Sequence, residues 1–284
     1  MNKKVSIARL SIFSNSLLIV LKLIVGVISG SISIISEAIH SFMDLLASII
    51  AFFSVKISDT PADERHPYGH GKFENVSGVI EAVLIFVAAF WIIFEAVRKI
   101  LHPGEVEKIS YGFIVMLFSA IVNFVVSRRL YKVARETESI ALEADALHLK
   151  TDVYTSAGVA LGLLLIWITG FHLLDPIIAI IVALLILKES VELFLKAYSP
   201  LLDVSISVKD LNTLKMIIQG HCTDKISYHD LRSRKAGNYI YVDFHLNLPE
   251  KLTVKEAHEI CDFIENDIKT HLKNIEVTIH VENF

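Results

Sequence analysis

The sequence predicts a six-helix transmembrane bundle followed by a small α+β domain, and three observations carry that prediction. Up to about residue 200 the chain alternates long apolar runs with short polar loops, within 284 residues that are 53% hydrophobic and 20% charged, with a mean hydropathy of +0.55. From Asp203 onward the mixture becomes that of an ordinary soluble domain. The chain thus divides into a transmembrane domain at 1–200 and a second domain at 201–284. Finally, two apolar runs each hold a histidine and an aspartate four residues apart, His40 with Asp44 and His148 with Asp152.

The first span is expected at 12–35. The basic stretch before it, MNKKVSIAR, precedes a run with no small-residue cleavage site and with five further spans behind it, so it reads as the approach to a span rather than a signal peptide. Gly26 and Gly30 allow close helix approach. Asn15 either lines an ion path or hydrogen-bonds to another helix, and Lys22 lies too deep for easy snorkelling. The second span, 36–57, holds His40 and Asp44, with Glu37 one turn earlier. The third runs over 76–100 with Glu81 near its start, the fourth over 109–126 with Asn123 near its end, the fifth from about 139 to 168, and the sixth over 173–195.

Residues four apart on a helix leave the same face. Two helices that each present one imidazole and one carboxylate bring four ligands to one ion, the tetrahedral shell that suits zinc. Ionisable groups at membrane depth are costly and mark transport paths. His148 and Asp152 lie far enough into the fifth span, at ~1.5 Å per residue, to sit near mid-membrane. Lys150 points away from His148 and calls for a water-filled crevice or a partner on another helix. Glu143 shares its face but stands too far off to pair with it.

Between the second and third spans, the loop SDTPADERHPYGHGKFEN offers Asp59, Asp63, Glu64, His66, His70 and Glu74, and its prolines and glycines shape it as a turn. It is either a second metal site at the membrane surface or an ordinary solvated loop. Lys3, Lys4, Arg9, Lys56, Arg65, Lys72, Arg128, Arg129, Lys132 and Arg135 fall on one side of the six spans, against Arg98, Lys99 and Lys108 on the other. The excess places both termini and this loop in the cytoplasm of a multi-pass cell-membrane protein.

In the second domain, 208–219 and 253–272 read as helices and 226–232, 239–248 and 275–281 as strands. That order, helix-strand-strand-helix-strand, is a metallochaperone-like α+β sandwich with both helices on one sheet face. Alternation in YIYVDFHLNL turns His245 to the open face, where His280 and Glu282 join it, while His229 ends the first strand. The cluster is either a metal site or a dimer surface. His258, on the second helix, reads alone as a surface residue.

The net charge of −4 argues against nucleic acid as a partner. Cys222 and Cys261 form neither a disulfide framework nor a CxxC knuckle and read as free thiols of a reducing compartment. No HExxH is present, so an intramembrane metalloprotease lacks its water-activating glutamate. A metal-gated channel would show a continuous polar lining, whereas the ligands here form one layer.

HSFMD (40–44), PADERHPYGHGK (61–72), ADALHLKTD (144–152), YHDLRSR (228–234), FHLNL and TIHVEN together resemble the cation diffusion facilitator family of proton-coupled divalent-metal exporters, across nearly the whole chain. The resemblance implies a homodimer that is not an enzyme, with a transport site at His40, Asp44, His148 and Asp152. It also implies a loop site at Asp63 and His70 with His66 near it, and a binuclear cytoplasmic site at His229, His245, His258, His280 and Glu282, the last standing where some members carry Asp. A charge interlock between Lys72 and Asp203 would tie the two protomers. Protons are the implied counter-ion, because metal and proton compete for the same imidazoles and carboxylates. Two histidines and two carboxylates favour Zn²⁺, with Fe²⁺, Cd²⁺ and Co²⁺ as alternative cargo and Mn²⁺ less favoured for want of oxygen ligands.

Overall fold

The computed structural model describes residues 3–29, 32–101, 111–171 and 173–283. The chain divides into two compact units, Met1–Tyr198 and Ser199–Phe284.

Among the described residues the first unit forms six long helices: α1 (Lys3–Ser29), α2 (Ile32–Ser58), α3 (Lys72–Leu101), α4 (Tyr111–Thr137), α5 (Ile140–Thr169) and α6 (Leu174–Tyr198). Among the described residues, Lys3–Ile28 and Lys72–Leu101 are long and apolar enough to cross a membrane, with mean hydropathies of 2.1 and 2.4. The aspartates and histidines of interest lie on α2 and α5. Apolar side chains such as Phe13, Val27, Ile28, Trp91 and Phe94 stand exposed on the outside of the unit, as a lipid-facing surface requires.

Helix ends differ from the apolar stretches that announce them. Residues 32–35, expected in the first span, belong to α2, and α1 starts at Lys3 rather than at residue 12. Helix α3 begins at Lys72, inside the expected loop, and α4 runs on to Thr137, so Arg128, Arg129, Lys132 and Arg135 ride on its last turns. Hydropathy marks the part of a helix that meets lipid, whereas backbone hydrogen bonding carries the helix beyond it. Lys108 lies outside the described residues.

Helix α5 occupies the centre, packing against α2, α3, α4 and α6. Its first three turns are accordingly buried all round, with Ala141, Leu142, Ala144, Ala146 and Leu149 at 0% exposure. Helix α3 comes close to α6: a Cβ built on Gly78 would lie 3.1 Å from Ala197 Cβ and 3.2 Å from Ile140 Cγ1.

One end of the bundle is tied by Glu74. Its Oε1 accepts from Lys4 Nζ at 2.9 Å and from Ser58 Oγ at 2.8 Å, and its Oε2 accepts from the hydroxyl of Ser139. Lys4 is 4% and Glu74 2% exposed. A single carboxylate thus joins α1, α2, α3 and the α4–α5 turn, and the buried charge is matched by its partner.

In the second unit a 3-10 turn (Ser199–Leu202) precedes α7 (Val208–Gly220), β1 (Ser227–Ala236), β2 (Tyr239–Leu248), α8 (Val254–His271) and β3 (Ile275–Asn283). β2 is central, antiparallel to β1 and parallel to β3. The core is one face of that sheet, Ile240, Val242, Phe244, Leu246 and Leu248, packed with Leu214 and Ile218 of α7 and Ile264 and Ile268 of α8. β1 runs past its expected end to Ala236 across a register irregularity between His229 and Arg232, where Asp230 takes a positive φ of 51°. His229 therefore stands early in the strand instead of ending it. Thr253 and Glu256 close a reciprocal capping box at the start of α8.

Candidate metal path and metal-binding clusters

In the bundle, α2 supplies Asp44, 3% exposed, and α5 supplies His148. His148 Nε2 lies 2.9 Å from Asp44 Oδ1 across the two helices. Asp152, one turn further along α5, accepts from Asn123 Nδ2 of α4 at 3.1 Å. The side chain of His40, on α2, lies outside the described residues, as does that of Glu37.

Around this layer stands a polar shell from neighbouring helices. Asn15 Nδ2 donates to Ser48 Oγ at 2.8 Å and reaches the Asp44 backbone oxygen at 3.4 Å. Of the two roles open to Asn15, the hydrogen bond to another helix is the one the geometry displays. Ser48 in turn donates to Asp145 Oδ1 at 2.8 Å. Ser48 and Asp145 were not singled out from the sequence; Asp145, one turn before His148 on α5, shares its spacing and offered the only signal. Lys22 Nζ donates to Ser41 Oγ at 2.7 Å. Lys150 has its partner on another helix: Nζ lies 2.8 Å from both oxygens of Glu189 on α6 and 5.0 Å from the Tyr154 ring centroid. Glu143 pairs with Lys196.

In the loop, Asp63, His66 and His70 bring ligand atoms within 4.8 Å of one another. Asp63 Oδ1 accepts from the backbone N–H groups of His66 at 2.6 Å and Arg65 at 2.9 Å, and its Oδ2 lies 3.4 Å from His70 Nε2. The N–H of His66 is the largest influence holding the Asp63 carboxyl below the usual range. His70 Nδ1 is buried and has no hydrogen-bond partner among the described residues, a free nitrogen of the kind a metal takes. Of the other loop candidates, Glu74 is committed to the buried tie and Asp59 lies 3.4 Å from Lys4 Nζ, so neither is aimed at this cluster. Glu64 is exposed.

In the tail, the strand register places His229 opposite His245 and His245 opposite His280, one imidazole per strand across the open face. Glu282 touches all three, at 3.0 Å from His245 Nδ1, 3.4 Å from His229 Nε2 and 3.7 Å from His280 Nε2. His245, His280 and Glu282 form one group with ligand atoms within 4.8 Å, and His229, Asp230 and His245 another. Imidazole nitrogens with one or two carboxylates fit a borderline divalent ion. Within one chain His258 stands apart from them: it is on α8, which covers the opposite face, and faces Asp262 at 3.7 Å. Asp203 Oδ1 lies 3.4 Å from Arg234 Nη1 within the same unit, and Lys72 opens α3 in the other. Burial pushes the thiols of Cys222 and Cys261 up, leaving both mostly protonated at neutral pH.

A membrane unit of long helices carrying histidine–carboxylate contacts, followed by an α+β unit with metal-ligand clusters, has the make-up of a metal-cation transporter. Residues 8–202 match the cation efflux transmembrane domain and residues 206–284 the cation efflux protein, cytoplasmic domain. The chain belongs to the cation diffusion facilitator family, whose members are membrane transport proteins. It is 34% identical to the uncharacterized transporter sll1263 of Synechocystis over 92% of this chain and 84% of that one. It is 32% identical to the cation-efflux pump FieF of Shewanella oneidensis (96% and 92%), and 30% identical to the manganese efflux system protein MneP of Bacillus subtilis (98% and 95%).

Proposed function

We propose that this protein exports Zn²⁺ from the cytoplasm in exchange for protons, working as a homodimer with six spans per chain and both termini cytoplasmic. The observation that carries the reading is the 2.9 Å contact between Asp44 and His148 from two helices inside the membrane unit. With His40 one turn before Asp44 and Asp152 one turn after His148, the donor set is two imidazoles and two carboxylates.

As substrate, the metal ion displaces protons from these groups on the cytoplasmic side, because a ligating imidazole must be neutral. Protons returning from the far side expel it. Asp44 balances the ion's charge, and Asn123 holds Asp152 in orientation as the ligands exchange. The tail cluster is read as a regulatory metal site at the dimer surface, to which the partner copy brings its own helix α8 and so a histidine at the His258 position. The loop cluster is read as a further cytoplasmic site, and Lys72 with Asp203 as the interlock between protomers.

Fe²⁺, Cd²⁺ and Co²⁺ fit the same donors, while a manganese exporter is favoured only by the likeness to MneP. The test is flux into proteoliposomes with a metal indicator and a pH-sensitive dye. Wild type is expected to move Zn²⁺ with opposite proton flow and to prefer it over Mn²⁺ in competition, and Asp152→Ala to abolish flux. Flux within twofold of wild type in D152A overturns the site, and preference for Mn²⁺ overturns the cargo.

A further inference from the structure

Besides Glu74, the described residues of the membrane unit bury two further carboxylates outside the transport layer. Glu81 on α3 and Asp145 on α5 are both at 0% exposure, on helices that pack together. Neither oxygen of Glu81 has a hydrogen-bond partner among the described residues, and neither does Asp145 Oδ2. The core where α3 meets α5 is apolar, with Ala82, Ile85, Ala144 and Leu147, while the hydroxyls of Ser48 and Ser11 reach Asp145 from α2 and α1. Glu81 stands on α3 and Asp145 on α5 where these helices pack, and like charge on the two would be mutually repulsive. The other charged groups acting on Asp145 are His148 on its own helix and Asp44 from α2.

An ionised carboxylate with no partner in such a place is too costly to persist, and the group neutralises instead. Two carboxylates sharing one site do not both ionise. The free oxygens therefore call for a ligand, and the smallest that satisfies them is a proton. Asp145 is moreover wired to the transport layer: its Oδ1 accepts from Ser48, Ser48 accepts from Asn15, and Asn15 reaches the backbone oxygen of Asp44.

We propose that Glu81 and Asp145 form a proton-binding site of their own, which loads and unloads in step with the metal layer. The proposal rests on the exporter reading. A divalent ion arriving beside Asp44 and His148 brings positive charge that favours the ionised form of Asp145, and the pair gives up its proton to water on the side to which the path is open. When the metal leaves, a proton returns to the same oxygens. The site thus adds to the protons that the metal ligands themselves exchange.

The test uses the full chain in lipid and two readouts. Infrared spectroscopy is expected to show the carbonyl stretch of a protonated carboxylic acid that weakens when Zn²⁺ is added and is lost in Glu81→Gln, with Asp145→Asn as the second variant. In vesicles, E81Q is expected to move fewer protons per metal ion than wild type. An acid band unchanged in both variants, or a proton-to-metal ratio in E81Q equal to wild type, overturns the proposal. So does loss of the band on adding Na⁺ or K⁺ at constant pH, which assigns the pair to a metal cation. Wild-type vesicles that carry no metal while the band still depends on Glu81 would overturn the exporter reading and leave the proton site standing.

Discussion

The ligand layer of the bundle and the ligand row of the tail use the same side chains in opposite settings. In the bundle, Asp44 is 3% exposed, and the two carboxylates each meet a group from a different helix: Asp44 meets His148, and Asp152 meets Asn123. In the tail, three imidazoles stand on an open sheet face with Glu282 among them, and His229 and His280 have side chains 45% and 66% exposed. A buried layer costs desolvation and holds charge only while every partner is present. An open row costs little and tolerates loss. On the proposed reading, the contrast separates a place where an ion is exchanged from one where it is held.

The sharpest way to break that contrast is at Glu74. Glu74→Ala leaves Lys4 buried without this partner and is expected to cost about 3–5 kcal/mol, read as an earlier thermal transition of the purified protein in detergent. An unchanged transition would mean that water reaches that end of the bundle and that buried polar groups there are less demanding than argued.

A smaller effect is expected in the tail. In the fragment 203–284, His245→Ala is expected to weaken Zn²⁺ binding by at least tenfold in calorimetry, because His245 belongs to both ligand groups. His258→Ala is expected to leave the affinity of the monomer within twofold and to weaken only metal-induced dimerisation. Equal losses in the two variants would show that the row is not the site.

The smallest effect is far from either cluster. Thr253→Ala removes the cap of α8 at a cost of about 1 kcal/mol, measured by denaturant unfolding of the same fragment. The backbone N–H of Thr253 and, after it, the Thr253 hydroxyl hold the Glu256 carboxyl below its ordinary value, and T253A removes the hydroxyl's share. That contribution is complete above about pH 4.3 and disappears as the pH falls through the depressed value. T253A should therefore show a weaker loss of stability in mild acid than wild type does.

What the sequence made legible was periodic. Four-residue spacing exposed the His–Asp pairs, and two-residue alternation sorted Val242 and Phe244 from His245. Partners on other elements carry no such period. The Glu189 that answers Lys150 is 39 residues away, and the Lys4 that answers Glu74 is 70 away. Glu74 looked like one more loop ligand because it follows the histidines in sequence, and only the helix beginning at Lys72 turns it inward. Ser48 sits in the apolar run LLASIIAFF (45–53), and nothing in its spacing points to Asp145, 97 residues away.

The pairing of the tail's sheet has a consequence for its assembly. The three imidazoles come one from each strand, and His245 meets His280 only because β3 runs parallel to β2 in one particular register. A slip of one residue turns His280 and Glu282 over to the side covered by the helices. A mispaired tail therefore keeps a single strand pair's donors and loses the rest. Metal bound across all three strands would favour the correctly threaded sheet over its slipped competitors, acting as a proofreader of the fold as well as a ligand of it.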